Sequence, residues 1–513
     1  MARSPDACES AALTLPARSA GAATAGWRSP SGHLVAAGLL IFAAVWLLHL
    51  ASVSLSPPVD NIEQLTWVRS LQWGYYKHPP LPTWLLWLPV HLLGLSASTA
   101  SVLGAAVTLG AMAILWRLLG EMRGPRYAAI ALLAMLCITY YNGRLNYYNH
   151  NVVLWLAVVT SACCCWRAFE QARLRWWAAL GLAIGLGALA KYQIAVTVLS
   201  VLCFWISQRA WREPVHVRGV LLATLIALLV FTPHLLWLPE HDFGPIRYAL
   251  STSLGVRLGA AERLFNAAHW LVDQLLNRSL PAFLLLGVCA YGISREKAGS
   301  AEPISNAVNG ASRRGRALIL CWALVPLAFM PAVGIAFGAD LQLQWGTAFL
   351  PFVVPAVMEL KPAGFWSRAR LGLALKVFVA LQAFLLLLSY VTSPVGIQAF
   401  ADHHWRGFGS KSLAEAVAAP ARTRLGGPIR VVIGDQAIAG ALALQLPERP
   451  VVLLEGHFRN SPWVTKDLVG ACGALELLHA ALQPSNATPV GAGFPGLYWR
   501  SIGPNRTGIS CSR

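Results

Sequence analysis

The chain has 513 residues, of which 56% are hydrophobic and only 12% charged. Soluble domains carry about 25% charged residues, so an ordinary soluble globular protein is excluded. The formal charge is +18, but the basic residues stand in short clusters between apolar runs, which is the pattern of membrane-protein loops and not of a nucleic-acid-binding face.

Residues 1–32, rich in Ala, Ser, Gly and Arg, read as a disordered cytoplasmic tail. The apolar run that follows ends in SVSLSPP, without the small-residue cleavage site of a signal peptide. A membrane helix needs about 20 mostly apolar residues. Candidate spans begin near Leu34, Ala100, Tyr127, Asn151, Trp177, Ile194, Gly219, Leu280, Ala317, Gly346 and Leu371, which predicts about eleven transmembrane helices within residues 33–391. Basic clusters fall on every second connection: Arg3, Arg18 and Arg28; Arg117, Arg123 and Arg126; Arg167, Arg173 and Arg175; Arg209, Arg212 and Arg218; Arg295, Lys297, Arg313, Arg314 and Arg316; Lys361, Arg368 and Arg370. By the positive-inside rule the N-terminus is then cytoplasmic, and an odd number of spans puts the C-terminus outside.

Three outer connections stand out, about 55–98, 142–150 and 239–279. Two stretches in them, LTWVRSLQW and ERLFNAAHWLVDQLL, are amphipathic and suited to lying flat at the interface. From residue 392 to 513 the character changes. IRVVIGD, PVVLLEG and LYWRSIG predict strands, and AIAGALALQL and KDLVGACGALELLHAALQ predict helices. The expected fold is thus a polytopic α-helical membrane protein with a small C-terminal α/β periplasmic domain. That domain has no glycine-rich phosphate fingerprint, so no nucleotide is assigned. The consecutive Cys163, Cys164 and Cys165 lie in an apolar run and read as small helix residues, whereas an oxidising compartment would leave a Cys472–Cys511 disulfide open.

Chemistry concentrates in the outer loops. Asp60, just beyond the first span, is placed to act as a general base at the membrane surface. It also fits a helix N-cap, with Glu63 three residues on completing a capping box. Lys77 and His78 precede Pro79 and Pro80, whose stiff backbone fixes two potential cations for a phosphate oxygen or for lipid headgroups. The segment YYNGRLNYYNHNVV sets Arg144, Asn149 and His150 among amides and tyrosines, either as sugar-binding groups or as a polar cap over helix ends. Lys191 closes the run GLAIGLGALAKYQ and either pairs with a lipid phosphate or snorkels to the surface. The third outer loop adds His234, Glu240, His241, Asp242 and Arg247. His241 and Asp242 are metal candidates without specific spacing, so no metal ligand is assigned; no cofactor is called for, and a divalent metal stays open.

An acidic residue after the first span followed by WGYYKHPPLPTWL resembles the bacterial glycosyltransferase family 39 and 83 membrane enzymes, the protein O-mannosyltransferase-like and aminoarabinose-transferase-like proteins. The runs GLAIGLGALAKYQ and PHLLWLPEHDFGPIRYAL are similar to further segments of them, so that the resemblance covers about residues 34–390. It implies a GT-C fold and transfer of a hexosyl or pentosyl group on the outer face of the bacterial inner membrane. The donor would be a polyprenyl-phosphate-linked sugar; the acceptor, a glycolipid, polysaccharide or protein; the surroundings, membrane lipids, with no nucleic acid. Asp60 matches the family's catalytic carboxylate. Glu63, Lys77, His78, Arg144, Asn149, His150, Lys191 and Arg247 are the expected substrate-binding residues. Members usually have Asp-Glu where this chain has Asp60-Asn61, and often an acidic residue where it has NYYNHN. Two other readings stand beside this one. A transporter or flippase for lipid-linked sugars predicts ionisable residues at mid-membrane and internal repeats, and neither is evident. A membrane scaffold predicts that the polar residues of the first loop are scattered over the surface.

Overall fold

The computed structural model describes residues 30–256, 258–295, 306–401, 404–480, 486–505 and 511. The expected cytoplasmic tail lies outside them but for its last three residues, as do Arg3, Arg18, Arg28 and Lys297. Helices α1 (Pro30–Ser52), α2 (Val59–Trp67), α3 (Leu81–Leu93), α4 (Ala97–Arg123), α5 (Pro125–Met135), α6 (Thr139–Gly143) and α7 (His150–Gln171) come first. They are followed by α8 (Leu174–Ala190), α9 (Ala195–Ser207), α10 (Pro214–Glu240), α11 (Gly244–Ala249), α12 (Ala260–Val272) and α13 (Leu280–Arg295). Then come α14 (Asn306–Phe337), α15 (Val353–Met358) and α16 (Leu371–Val391).

The molecule is a multi-pass membrane protein. Among the described residues six helices are long and apolar enough to cross a bilayer: α1, α4, α7, α10, α14 and α16. A seventh span is formed if the pair 260–278 and 280–294, bent by 54°, counts as one. Of the other expected spans, those near Tyr127, Trp177 and Ile194 are the shorter apolar helices α5, α8 and α9. The one near Gly346 is divided into short helical turns ending in α15, where Pro351 and Pro355 deprive the ladder of donors. In α7 78% of the apolar window is buried, against 17% in both α10 and α16, so α7 is central and α10 and α16 turn their leucines outward.

The glycines of the GLAIGLGALA run explain how α8 sits in this bundle. A Cβ on Gly181 would lie 2.4 Å from the Ala223 carbonyl oxygen, and one on Gly185 2.7 Å from Val230 Cβ. The backbones of α8 and α10 therefore approach at a distance that only small residues allow. At one end of the bundle the basic connections are tied together: Arg123 to Glu359 (2.8 Å), Arg167 to Glu121 (3.0 Å) and Arg314 to Glu170 (3.1 Å).

The C-terminal domain is seated on the connection between α1 and α4. It contains α17 (Ser410–Leu425), β1 (Val431–Gly434), α18 (Gln436–Gln445), β2 (Val451–Leu454), α19 (Lys466–Cys472), β3 (Ala474–His479), β4 (Thr488–Pro489) and β5 (Leu497–Ile502). The sheet order is β2-β1-β3-β5-β4, with β1 parallel to β2 and β3, and β5 antiparallel to β3 and β4. One expectation is corrected: the helix predicted over KDLVGACGALELLHAALQ stops at Cys472, and ALELLH is the central strand β3. Gly473, at φ +66°, ends the helix, and a Cβ there would meet the Ile502 carbonyl oxygen at 2.4 Å. Beyond it Leu475 and Leu477 are buried while Glu476 pairs with Arg500 on β5, an alternation of period two. Cys472 and Cys511 form a disulfide. Domain and bundle meet where Gly440 of α18 lies over Ile62 of α2, a contact so close that a Cβ would stand 2.3 Å from Ile62 Cγ2. Trp405 Nε1 donates to the Pro57 carbonyl (2.7 Å) and Arg69 to the Arg449 carbonyl (2.7 Å).

Candidate active site

Helix α2 does not lie flat at an interface; Ile62, Leu65, Thr66 and Trp67 are all buried. Its N-cap is Pro58, which makes no side-chain capping bond. Asp60 is therefore inside the first turn rather than engaged as a cap. Its Oδ2 accepts a hydrogen bond from Asn149 Nδ2 (2.7 Å). Asn149 is itself the N-cap of α7, its Oδ1 taking the Val152 amide (3.0 Å), so the rigid start of a central helix fixes the orientation of the Asp60 carboxylate. Asn61 is fully buried and links the same two elements. It accepts from the Tyr148 amide (2.7 Å) and donates to the Asn146 carbonyl (2.8 Å). Asn61 is thus a structural amide that needs both a donor and an acceptor.

One helical turn after Asp60, Glu63 is buried and bound to Lys77 Nζ (2.8 Å). Lys77 also stands 5.4 Å from the centres of the Tyr76 and Tyr248 rings. Burial disfavours its charge, but the neighbouring Glu63 carboxylate outweighs this and holds Lys77 protonated. His78 is packed against His150, with ring centres 4.0 Å apart, and Trp67 stands beside both. Burial, reinforced by His150 and the Lys191 and Lys77 cations, pushes the His78 pKa well below the usual histidine range, so this ring is neutral at pH 7. Glu63, His78 and His150 each offer one ligand atom, all within 4.8 Å of one another. Lys191, in the connection between α8 and α9, donates to Asn151 Oδ1 (2.7 Å). Burial lowers its pKa to about 8, opposed by the Asp60 charge.

Asp60, Glu63, Lys77, His78, Asn149, His150 and Lys191 are thus brought together. Arg144 stands at the margin, over the Tyr140 and Tyr147 rings at 5.9 and 5.3 Å. Arg247 is elsewhere: it is exposed, pairs with Asp242 (3.3 Å), and lines an adjoining cavity of about 360 Å³ with Tyr76, Trp237, Tyr248 and Arg459. His241, one of the two metal candidates, bonds to the Trp237 carbonyl and stacks on its ring. The other, Asp242, is taken by Arg247 and Arg459. Reading the sequence missed Tyr76, Tyr248 and Arg459. Tyr76 adjoins Lys77 in the WGYYKHPP run and Tyr248 follows Arg247 in PHLLWLPEHDFGPIRYAL, but nothing local marks Arg459, which lines the adjoining cavity from the C-terminal domain. A second cavity, an apolar groove of about 490 Å³ between α8, α9 and α10, is lined by Trp177, Phe231, Leu235 and Tyr192, the residue after Lys191.

Residues 77–237 match the family model described as dolichyl-phosphate-mannose-protein mannosyltransferase. The lipopolysaccharide core galacturonosyltransferase RgtA of Rhizobium johnstonii is 24% identical over 432 residues, covering 81% of this chain and 82% of the relative. The undecaprenyl phosphate-alpha-4-amino-4-deoxy-L-arabinose arabinosyl transferase of Pectobacterium carotovorum subsp. carotovorum is 25% identical over 391 residues, covering 69% of this chain and 66% of the relative. Among solved structures, ArnT from Cupriavidus metallidurans in the apo state superposes with a TM-score of 0.61 at 15% identity, covering 94% of this chain and 100% of that one. The chain is a GT-C-fold relative of these membrane glycosyltransferases. The candidate site lies where the connection between α1 and α4, the start of α7 and the end of α8 converge. The convergence is the opposite of what a scaffold with scattered loop polarity requires, and the comparisons do not favour a transporter.

Proposed function

We propose that the protein transfers a hexosyl or pentosyl group from a polyprenyl-phosphate donor to an acceptor hydroxyl of a glycolipid, polysaccharide or protein, with Asp60 as the base. In this reading it resides in the bacterial inner membrane, with its N-terminus cytoplasmic and its C-terminal domain periplasmic. The observation that carries it is the placement of an oriented carboxylate, Asp60 on Asn149, near enough to Lys191 for their charges to interact, with Lys77 held by Glu63 one helical turn on. The acceptor oxygen attacks the anomeric carbon while the bond from that carbon to the phosphate oxygen breaks. The hydroxyl proton passes to Asp60. The negative charge gathered on the departing lipid phosphate is met by Lys77 and Lys191, charges that the fold has set in place beforehand. The apolar groove that begins at Tyr192 suits the prenyl chain, with its phosphate at Lys191.

The relatives named above include a galacturonosyl and an aminoarabinosyl transferase, so the test supplies both kinds of donor. Purified protein in lipid is given radiolabelled polyprenyl-phosphate sugars and a membrane extract, with wild type beside Asp60→Asn. We expect label in an acceptor with wild type and a loss of about 100-fold or more in kcat for the variant. Equal transfer by a folded Asp60→Asn protein would remove Asp60 from the mechanism.

A further inference from the structure

We infer that the C-terminal domain carries a binding site of its own, for a neutral sugar ring, in a cavity of about 310 Å³ at the carboxyl ends of β1 and β3. The topology puts a crevice there. β1 is flanked by β2 and β3, both parallel to it. The chain leaves β1 through α18 for one neighbour and reaches the other through α19. The two helices belong to different faces of the sheet: α18 buries Ala439 and Leu442 in one cluster, and α19 sets Leu468 and Val469 against another. Open α/β sheets bind ligands outside the carboxyl ends of their strands, where the connections part in this way. Here that place is hollow. Its walls are His479 at the end of β3, Ile438 in the first turn of α18, and the loop residues Phe408, Gly493 and Phe494.

The chemistry of the walls names the class of ligand. One wall is aromatic: the Phe408 and Phe494 rings stand 5.6 Å apart at 65°, and Trp405 stacks behind Phe408 at 4.6 Å. The polar edge is Asp435, the N-cap of α18. Its Oδ1 accepts from the Ala437 and Ile438 amides (2.9 Å each), which fixes the carboxylate, and its Oδ2 lies 3.7 Å from His479 Nε2. That gap is too long for a direct hydrogen bond. One hydroxyl would fill it, donating to Oδ2 while accepting from an imidazole N–H. A sugar ring combines such hydroxyls with a face of C–H bonds suited to the negative face of an aromatic ring. Among the described residues that line the cavity none is Lys or Arg, and the Asp435 charge repels anions, so a neutral sugar is favoured over a phosphorylated or acidic one. The aromatic wall is tied to the start of α2: Ser56 Oγ donates to the Phe408 carbonyl (2.7 Å) and Trp405 Nε1 to the Pro57 carbonyl (2.7 Å). Resting on the transfer reading above, the ring held here would belong to the acceptor glycan, kept close to the helix that carries Asp60.

The experiment uses the full-length protein in lipid nanodiscs, with no donor present. Methyl α-glucoside, methyl α-galactoside and methyl α-mannoside are tested by saturation-transfer NMR beside glucose 6-phosphate and galacturonate. We expect saturation of the ring protons of at least one neutral glycoside and of neither anion. Two variants keep the fold. Asp435→Asn retains the helix cap, because Asn caps as well as Asp, but loses the charged acceptor, so binding should weaken by about 10-fold. A Cβ on Gly493 would meet nothing within 4 Å, so Gly493→Leu fills the cavity without crowding its neighbours and should abolish binding. No saturation of any neutral glycoside by the folded wild type, stronger binding of the anions, or undiminished binding in a folded Gly493→Leu protein would overturn the site. Because no donor is present, sugar binding can stand when transfer fails. Where transfer is seen, Gly493→Leu should raise the acceptor KM by more than it lowers kcat; an unchanged KM would overturn the acceptor role.

Discussion

In the proposed transfer, Lys191 ties the chemistry to pH. It is cationic below its pKa of about 8 and neutral above it, so the form able to receive a phosphate is lost as pH rises through that value. A profile of kcat/KM, which follows the free enzyme, should therefore fall on an alkaline limb near pH 8. In Lys191→Arg, whose guanidinium keeps its charge, that limb should move out of the range; an unchanged limb would assign it to another group. The residues of this pocket were legible to different degrees. Asp60, Lys77, His78 and Lys191 each stand where an apolar run gives way to an outer loop, and such junctions are where ionisable groups in membrane proteins find one another. That His78 and His150 pack together, and that Glu63 turns toward Lys77, was not legible, because it depends on how α2, the loop before α3 and the start of α7 meet in space.

At the scale of elements, the Gly-rich run of α8 is a packing device. Gly181→Leu would drive a side chain into the Ala223 backbone and part α8 from α10, displacing Lys191 at the end of α8. We expect overpacking of about 1–3 kcal/mol, seen as a lower midpoint of thermal unfolding in detergent together with reduced transfer. Gly110 of α4, where an added Cβ would meet nothing within 4 Å, should accept Ala without loss. Periodicity identified most long helices, since an uninterrupted apolar run leaves few alternatives. It failed at ALELLH, where a helical and a strand pattern overlap and only Gly473 and the pairing with β5 decide between them.

At the scale of the molecule, the described ion pairs of the basic connections gather at one end of the bundle and the sheet domain covers the other. The Cys472–Cys511 bridge, 39 residues apart in sequence, constrains the unfolded domain by about 4 kcal/mol. Cys472→Ser should lower the domain's thermal stability and abolish the gel-mobility difference between oxidised and reduced protein. Retention of that difference would mean that other cysteines pair. The alternation of basic and long polar connections made the multi-pass architecture readable, and the change of composition near residue 392 announced a separate domain. How that domain docks was not readable, because Gly440 and Ile62 carry no mark of each other.

That docking has a consequence in time. A chain is made from its N-terminus, and Arg69 of the first loop is bonded to Arg449, 380 residues later. The helix that carries Asp60 and Glu63 therefore emerges long before the surface that closes over its far side. Until then Ile62 has no cover from α18, and the carboxylates stand on a helix held from one side only. The pocket should therefore acquire its final form only once α18 has been synthesised, so that nascent chains already in the membrane would hold back from chemistry until then.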